Sequence, residues 1–126
     1  MNLQAKYPHM FAQDAQVEYI GVHWLHIVDA LLQEIAEYEN RLLQKHGQIY
    51  FGTIYRPVLI EQIKQKLGRL CIYYVGGDNY IVGLVTMAQR WAYQHCYICG
   101  DLAKARSHQG WTHTVCEYHF EELKND

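Results

Sequence analysis

Hydrophobic residues recur at steps of three and four between residues 22 and 46, and this spacing predicts a long amphipathic helix. The stripe is formed by Trp24, Leu25, Ile27, Val28, Leu31, Leu32, Ile35, Ala36, Tyr38, Leu42 and Leu43. Lys45 and His46 suit the negative end of the helix dipole, and Gly47 is a suitable stop. Because the stripe is so wide, the helix either lies deep in the core or also contacts a second subunit, and a homodimer through helix 22–46 is one expectation.

A second helix is expected from residue 80 to residue 95. Its apolar face contains Ile81, Leu84, Val85, Ala88 and Trp91. Asp78 or Asn79 can cap the free amide groups of its first turn.

The stretch between these helices has a mixed pattern. Residues 58–67 combine helical spacing with partial alternation, so strand and helix both stay open. Residues 70–75 are rich in β-branched and aromatic side chains and predict a buried strand, with Cys71 as a small buried hydrophobe. Near the start of the chain, Tyr7 to Phe11 are expected to be a short extended segment that packs on the domain.

Two pairs of potential metal ligands dominate the C-terminal quarter. Cys96 and Cys99 have two residues between them, as do Cys116 and His119, and the pairs are sixteen residues apart. This is the spacing of a structural site with three thiolates and one imidazole, and it predicts one structural zinc ion. His113 is the competing imidazole, although it breaks the paired spacing.

The residues between the ligand pairs predict a β-hairpin followed by a short helix. Strands are expected at 102–105 and 111–115, with residues 106–110 as the turn. A helix beginning at Cys116 would place Phe120 and Leu123 inward. A knuckle, a hairpin and a helix that carries the second ligand pair is a treble-clef-like arrangement.

Length and composition set the outer limits. The chain has 126 residues, of which half are hydrophobic, and a formal net charge of −2. This length allows one domain with one core and a metal-stapled segment. Together with the elements above, it predicts an α+β protein with a core at residues 1–95 and a zinc-binding segment at residues 96–126 packed on it. The first twenty residues do not resemble a signal peptide, and no stretch has the apolar length of a membrane span, so a cytoplasmic protein with reduced thiols is expected.

The charged residues suggest one candidate binding surface. The middle of the chain is basic, and its cations include Lys64, Lys66, Arg69, Lys104 and Arg106. With Tyr73, Tyr74 and Trp111 they could bind the backbone and stack the bases of a nucleic acid. In the alternative interpretation the cations are solvated and the aromatic residues belong to the core. No sequence motif of a hydrolase, a P-loop or a dinucleotide-binding site is present, so an enzyme is not expected.

Four blocks in order give the chain a resemblance to a known family. They are Tyr7-Pro8, residues 21–24 (GVHW), residues 62–73 (QIKQKLGRLCIY), and residues 96–119 with Gly110-Trp111. The chain resembles small uncharacterised proteins of phages, prophages and other mobile elements that end in a zinc-ribbon segment. The resemblance implies a strand–turn–strand at residues 58–75 and an intracellular setting in the host.

The same resemblance implies a function. Small phage proteins often act on host complexes, and a binding protein that inhibits anti-phage defence, in the manner of an anti-CRISPR protein, needs no catalytic residues. In that case Glu34, Glu37, Glu39 and the acidic tail would imitate nucleic-acid charge toward a basic host protein. A nucleic-acid-binding zinc protein is the alternative.

Overall fold

The computed structural model describes residues 1–125 and has the α+β fold that the sequence predicts. The helices are α1 (Leu3–Lys6), α2 (Val22–Tyr50), α3 (Asn79–Ala92) and α4 (Glu117–Lys124). The strands are β1 (Phe11–Val17), β2 (Leu59–Lys66), β3 (Arg69–Val75), β4 (Lys104–His108) and β5 (Trp111–Val115). No helix in the described part of the chain is both long and apolar enough to cross a membrane.

A three-stranded sheet forms the centre of the molecule, in the order β1-β2-β3. β1 and β2 are parallel, and α2 is the crossover between them, as parallel neighbours require. β2 and β3 form an antiparallel hairpin whose turn is Leu67-Gly68. The sequence analysis missed β1, because only Phe11 of its seven residues is buried and the expected hydrophobic alternation is absent. It also missed α1, and Pro8–Met10, which were expected to be extended, form a short 3-10 helix.

A β-bulge explains why residues 58–67 look partly helical. Ile60 pairs with Tyr74 and Gln62 pairs with Tyr73, so an extra residue of β2 lies between these two pairs. The bulge shifts the alternation by one position, and Ile60 and Ile63 both become completely buried although they are three residues apart. The strand–turn–strand prediction is therefore confirmed.

The apolar stripe of α2 is used within the chain. Trp24, Val28, Leu32 and Ile35 are fully buried in one core with residues of the sheet and of α3. Gly47, with φ 80° and ψ 178°, interrupts the regular helix at the predicted stop, although helical turns continue to Tyr50. The width of the stripe thus has an explanation without a second copy, and a dimer through this helix remains a prediction.

Two predicted features near α3 need correction. α3 ends at Ala92 rather than at residue 95, because the chain then turns to deliver Cys96 to the metal-ligand cluster. The start of α3 is capped by Asp78, whose Oδ1 accepts a hydrogen bond from the Ile81 amide at 3.2 Å.

β3 is only half-buried. Leu70 and Ile72 face the core, so Cys71 lies on the opposite face and is partly exposed rather than buried.

The C-terminal hairpin is shifted from its predicted position. Its first strand runs from Lys104 to His108, and its turn contains only Gln109 and Gly110. Both residues have positive φ, 52° and 80°, which allows a two-residue turn matched to the twist of the strands. The strands therefore extend through residues that were predicted to be loop.

Candidate metal centre

The four predicted ligand residues lie together at one end of the C-terminal hairpin. One donor atom from each of Cys96, Cys99, Cys116 and His119 lies within 4.8 Å of all the others. The Sγ atoms of Cys99 and Cys116 are 3.7 Å apart, too far for the disulfide bond length of about 2.05 Å. The cluster could hold one metal ion, and an ion bound by all four side chains in a tetrahedral arrangement would have no open position for water.

A tight turn positions the first ligand pair. The Gly100 amide donates to the Cys96 carbonyl at 2.9 Å, and the Cys96 amide donates to the Asp101 carbonyl at 2.8 Å. Gly100 has φ 86°, which disfavours a side chain, and a Cβ there would lie 2.6 Å from the ring of His23. Glycine is therefore needed at this position both for the turn and for the approach of α2.

The start of α4 positions the second pair. Cys116 is the N-cap residue, and its sulfur accepts a hydrogen bond from the His119 amide at 3.5 Å. One helical turn places Nδ1 of His119 at 3.3 Å from Cys116 Sγ and 3.6 Å from Cys96 Sγ. His113 lies elsewhere: it is in β5, and its ring stacks near Tyr97 at 6.3 Å between centroids. The structure thus brings His119, and not His113, to the three cysteines.

The cluster has its own small hydrophobic surround. Cys96 and Cys116 are buried, whereas Cys99 is exposed. The surrounding apolar side chains are Tyr97, Ile98, Ala103, Val115, Phe120 and Leu123. Such a small core is not expected to hold its fold by apolar burial alone, so a bound ion would contribute to folding.

The backbone near Cys96 favours a thiolate. Burial would raise the pKa of the Cys96 thiol, but the amide groups of Cys116, Cys99 and Ile98 outweigh burial, and the pKa falls to about 7. Partial desolvation and the neighbouring sulfurs of Cys116 and Cys96 raise the pKa of Cys99 in the ion-free cluster. A bound divalent cation would hold Cys99 as a thiolate as well as Cys96, because its charge stabilises all three cysteine sulfurs in the deprotonated form.

Three of the hydrogen bonds that attach the metal-ligand segment to the core reach α2 and the β2–β3 turn. The His23 amide donates a hydrogen bond to the Tyr97 carbonyl at 3.0 Å, and Nε1–H of Trp24 donates one to the His95 carbonyl at 2.9 Å. Thr114, which is fully buried, donates its hydroxyl hydrogen to the Gly68 carbonyl at 2.6 Å. The ligand positions are thus coupled to the start of α2 and to the β2–β3 turn. Spacing analysis missed these contacts, since they join residues that are far apart in the sequence.

The structure divides the five predicted basic residues into two sets. Lys64, Lys66 and Arg69 lie on the face of the β2–β3 hairpin away from the core, where Lys66 pairs with Arg69 across the strands. Lys104 and Arg106 lie on the face of the β4–β5 hairpin opposite to Thr114, as the strand alternation shows.

Each of the two sets contains an arginine that lies over an aromatic ring. Arg106 donates to the Val115 carbonyl at 3.1 Å and lies over the Phe120 ring. It is therefore occupied in holding the hairpin to α4. Arg69 lies over the Tyr93 ring, 4.1 Å from its centroid, beside a groove of about 560 Å³ that Arg90 also lines.

One of the acidic residues that were predicted to imitate nucleic-acid charge, Glu39, is buried, so this part of the prediction is wrong. Glu39 is 8% exposed, and its Oε2 accepts hydrogen bonds from the Tyr55 hydroxyl at 2.7 Å and the Val58 amide at 2.8 Å. This carboxylate joins α2 to the segment before β2 and cannot face a partner. Glu39 follows Ile35 by four residues, so helical spacing places it on the buried stripe of α2, a signal that the sequence analysis did not use.

Comparison with models of protein families, with curated proteins and with solved structures found no match to this chain.

Proposed function

We propose that the cluster binds one zinc ion and that the protein is a zinc-stabilised, non-enzymatic binding protein. The observation that carries this proposal is the set of distances between donor atoms. A tetrahedral zinc ion with ordinary bond lengths separates two thiolate sulfurs by about 3.8 Å and a sulfur from an imidazole nitrogen by about 3.6 Å. The sulfurs of Cys99 and Cys116 are 3.7 Å apart, His119 Nδ1 lies 3.3 and 3.6 Å from the sulfurs of Cys116 and Cys96, and all donor pairs lie within 4.8 Å.

The chemistry of the donors supports the same ion. Three thiolates and one imidazole are borderline-soft ligands, and a closed tetrahedral set of this kind is typical of structural zinc. The order of a knuckle, a hairpin and a helix with the last two ligands in its first turn supports a treble-clef-like segment. In this proposal the ion stabilises the C-terminal segment and takes no part in a reaction.

Metal analysis tests the ion and its role. Elemental analysis of the purified chain should give one zinc per chain, and cobalt substitution should give the visible spectrum of a tetrahedral site with three sulfur ligands. Cys116→Ser should lose the metal, whereas Cys71→Ser should retain it. A folded wild-type protein without stoichiometric metal would contradict the proposal.

For the partner, we propose a host protein complex, with the chain acting as a phage-type inhibitor of anti-phage defence. The resemblance of the four sequence blocks supports this origin, and a coordination set with no open position supports action by binding. The exposed carboxylates available for charge mimicry are Glu37 on α2 and Glu117, Glu121 and Glu122 on α4, with Glu39 excluded by its burial.

Capture from cells of the native host tests this partner. Recovery of a defence nuclease or surveillance complex, with weaker recovery by a variant in which the three α4 glutamates are changed to glutamine, is the expected result. Recovery of nucleic acid alone would favour the second candidate.

The second candidate is a nucleic-acid-binding protein, and the outer face of the β2–β3 hairpin favours it. The cross-strand pairs on this face are Gln62 with Tyr73, Lys64 with Cys71, and Lys66 with Arg69. It therefore presents three cations and no carboxylate from these six positions. The Lys64 ammonium lies 5.5 Å from the centroid of the Tyr73 ring, which is 42% exposed. Exposed aromatic rings beside cations are the usual surface for single strands.

Salt dependence tests the second candidate. Affinity for a single-stranded oligonucleotide should fall as salt rises. Replacing Lys66 by glutamine should make the slope of log K against log salt less steep, by the amount that corresponds to about one phosphate contact. Lys45→Gln, at an exposed position near the end of the regular part of α2, is the matched control. No measurable binding at low salt would rule this function out.

A further inference from the structure

A groove of about 560 Å³ runs between strand β3 and the second half of α3. Its lining includes two arginines, Arg69 from the strand and Arg90 from the helix, and no aspartate or glutamate. Neither arginine forms a salt bridge within residues 1–125. The groove therefore carries two positive charges without a carboxylate partner in the described part of the chain, and such a site attracts an anion.

An aromatic ring holds Arg69 in the groove. The guanidinium group lies over the ring of Tyr93, 4.1 Å from the ring centroid, and Tyr93 also lines the groove. A cation–π contact holds the planar group without a hydrogen-bond acceptor, so the N–H groups of Arg69 remain donors for a ligand. The position of this cation is therefore set before a ligand enters.

The free edge of β3 adds two uncharged donors. β3 is an edge strand, and the Ile72 amide on its free side donates a hydrogen bond to Oε1 of Gln89 at 2.9 Å. Because this bond uses Oε1, the NH2 group of Gln89 is the part of the side chain left for a ligand. Backbone amides alternate in direction along an antiparallel strand, so the Leu70 amide, two residues before Ile72, also points to the free edge that borders the groove.

We propose that this groove binds a phosphomonoester, whose dianionic phosphoryl group is held by Arg69 and Arg90. The dianion matches the two positive charges, and the planar fork of arginine binds phosphate oxygens in pairs. The volume lies in the range of small-molecule sites, about 300–1,000 Å³. An acidic peptide strand fits less well, because Gln89 already occupies the Ile72 amide and interrupts the free edge. A free nucleotide and the phosphorylated end of a nucleic-acid strand both carry the required group.

NMR titration of the full-length chain, as purified with its metal, tests this site at constant ionic strength. Adenosine 5′-monophosphate should shift the amide signal of Leu70 and the side-chain NH2 signals of Gln89 until they saturate, and adenosine should not. Arg90→Gln should weaken this binding at least tenfold, because a charge-assisted pair of hydrogen bonds is lost. Arg56→Gln, at an exposed position outside the groove, is the matched control and should leave the affinity unchanged.

Two further comparisons identify the source of the phosphoryl group and separate the groove from the hairpin face. If a strand end is the source, an oligonucleotide with a 5′-phosphate should bind more tightly than the free nucleotide, and the same strand with a 5′-hydroxyl should not shift the groove signals. If a free nucleotide is the source, the order of affinities is reversed. Lys66→Gln, which tests the second candidate function, should leave nucleotide binding unchanged, so the groove and that function can fail independently.

Three outcomes would overturn the proposal. The first is the absence of saturable shifts with adenosine 5′-monophosphate. The second is equal binding by wild type and by Arg90→Gln, whose amide spectrum outside the groove should match wild type and show that the variant is folded. The third is equal binding of succinate, a dicarboxylate of the same charge, because the groove would then select charge and not the phosphoryl group.

Discussion

The buried hydroxyl of Thr114 donates a hydrogen bond of 2.6 Å to the carbonyl of Gly68, and this bond joins the metal-ligand segment to the central sheet. Thr114 lies two residues before the ligand Cys116, and Gly68 lies in the β2–β3 turn. Gly68 also contacts Thr112, since a Cβ at this glycine would lie 3.0 Å from the Thr112 methyl group. The position of the second ligand pair therefore depends on the hairpin of the core.

Removal of this hydroxyl should destabilise the whole chain. Thr114→Val keeps the shape of the side chain and leaves the buried Gly68 carbonyl without its partner, which costs about 1–3 kcal/mol. Urea unfolding measures the loss. Thr53→Val, at an exposed turn, should change stability by less than about 0.5 kcal/mol. Equal effects of the two substitutions would show that the hydrogen bond does not connect the two parts.

A methyl group at Gly21 should disrupt the contact between α2 and the knuckle. Gly21 has φ 95°, and a Cβ there would lie 2.4 Å from the Tyr97 carbonyl oxygen. Gly47→Ala is a matched control, because Gly47 also has positive φ, 80°, but no atom lies within 4 Å of its would-be Cβ. Backbone strain of about 1–3 kcal/mol should affect both variants, and Gly21→Ala should lose more. Thermal unfolding that ranks the two variants in the opposite order would contradict this contact.

Metal removal should unfold the C-terminal segment before the core. The segment has a small apolar cluster, whereas the core contains eighteen buried hydrophobic residues. A strong chelator should therefore abolish amide protection at residues 96–124 and leave much of the protection in α2 and β2, as hydrogen exchange can measure. Cys116→Ser should reproduce the effect and Cys71→Ser should not. Loss of protection throughout the chain at the same rate would instead show that the ion stabilises a single cooperative unit.

Glu39 should make stability fall as pH rises. Burial raises the pKa of Glu39, and the hydrogen bonds from Tyr55 and Val58 oppose burial only in part. The folded chain therefore holds this proton at higher pH than the unfolded chain, whose glutamate has a pKa of about 4.3. The contribution of Glu39 to stability is most favourable below the unfolded pKa. It declines as pH rises through the raised folded pKa and is constant above it.

Glu39→Gln isolates this effect, because the amide oxygen of glutamine can still accept both hydrogen bonds. The stability of the variant relative to wild type should increase with pH across that window. Urea unfolding at a series of pH values gives the difference, in which any titration of the metal ligands cancels. Glu37→Gln, exposed on the same helix, should show no such trend. A difference that does not change as pH rises above the unfolded glutamate pKa of about 4.3 would refute the assignment.

Periodicity and ligand spacing were sufficient for the local elements of this protein. The stripe of Trp24 to Ile35 predicted α2, and Asp78 was among the two predicted caps of α3. The spacing of Cys96, Cys99, Cys116 and His119 identified the residues that the structure brings together. These features depend on neighbours within a few residues, so the sequence contains the necessary information.

The misplaced elements have causes that are not local. β1 has little alternation because its place in the sheet is set by pairing with β2, about fifty residues later. The bulge in β2 changes which residues face the core, so a simple two-residue period fails there. Cys71 lies outward because its neighbours in β3 face inward, and no composition rule distinguishes the two faces of a short apolar strand.

The sequence by itself determined the helices α2, α3 and α4 and the ligand residues of the metal centre, whereas the strand–turn–strand of the core was implied only by the resemblance. Only the tertiary structure decided that Glu39 bonds to Tyr55 and Val58, that the five basic residues form two sets, and that Thr114 joins the ligand segment to Gly68. The physical reason is that local pattern fixes which face of an element is apolar. The partner that covers each face, and the polar groups buried with it, depend on packing between residues distant along the chain.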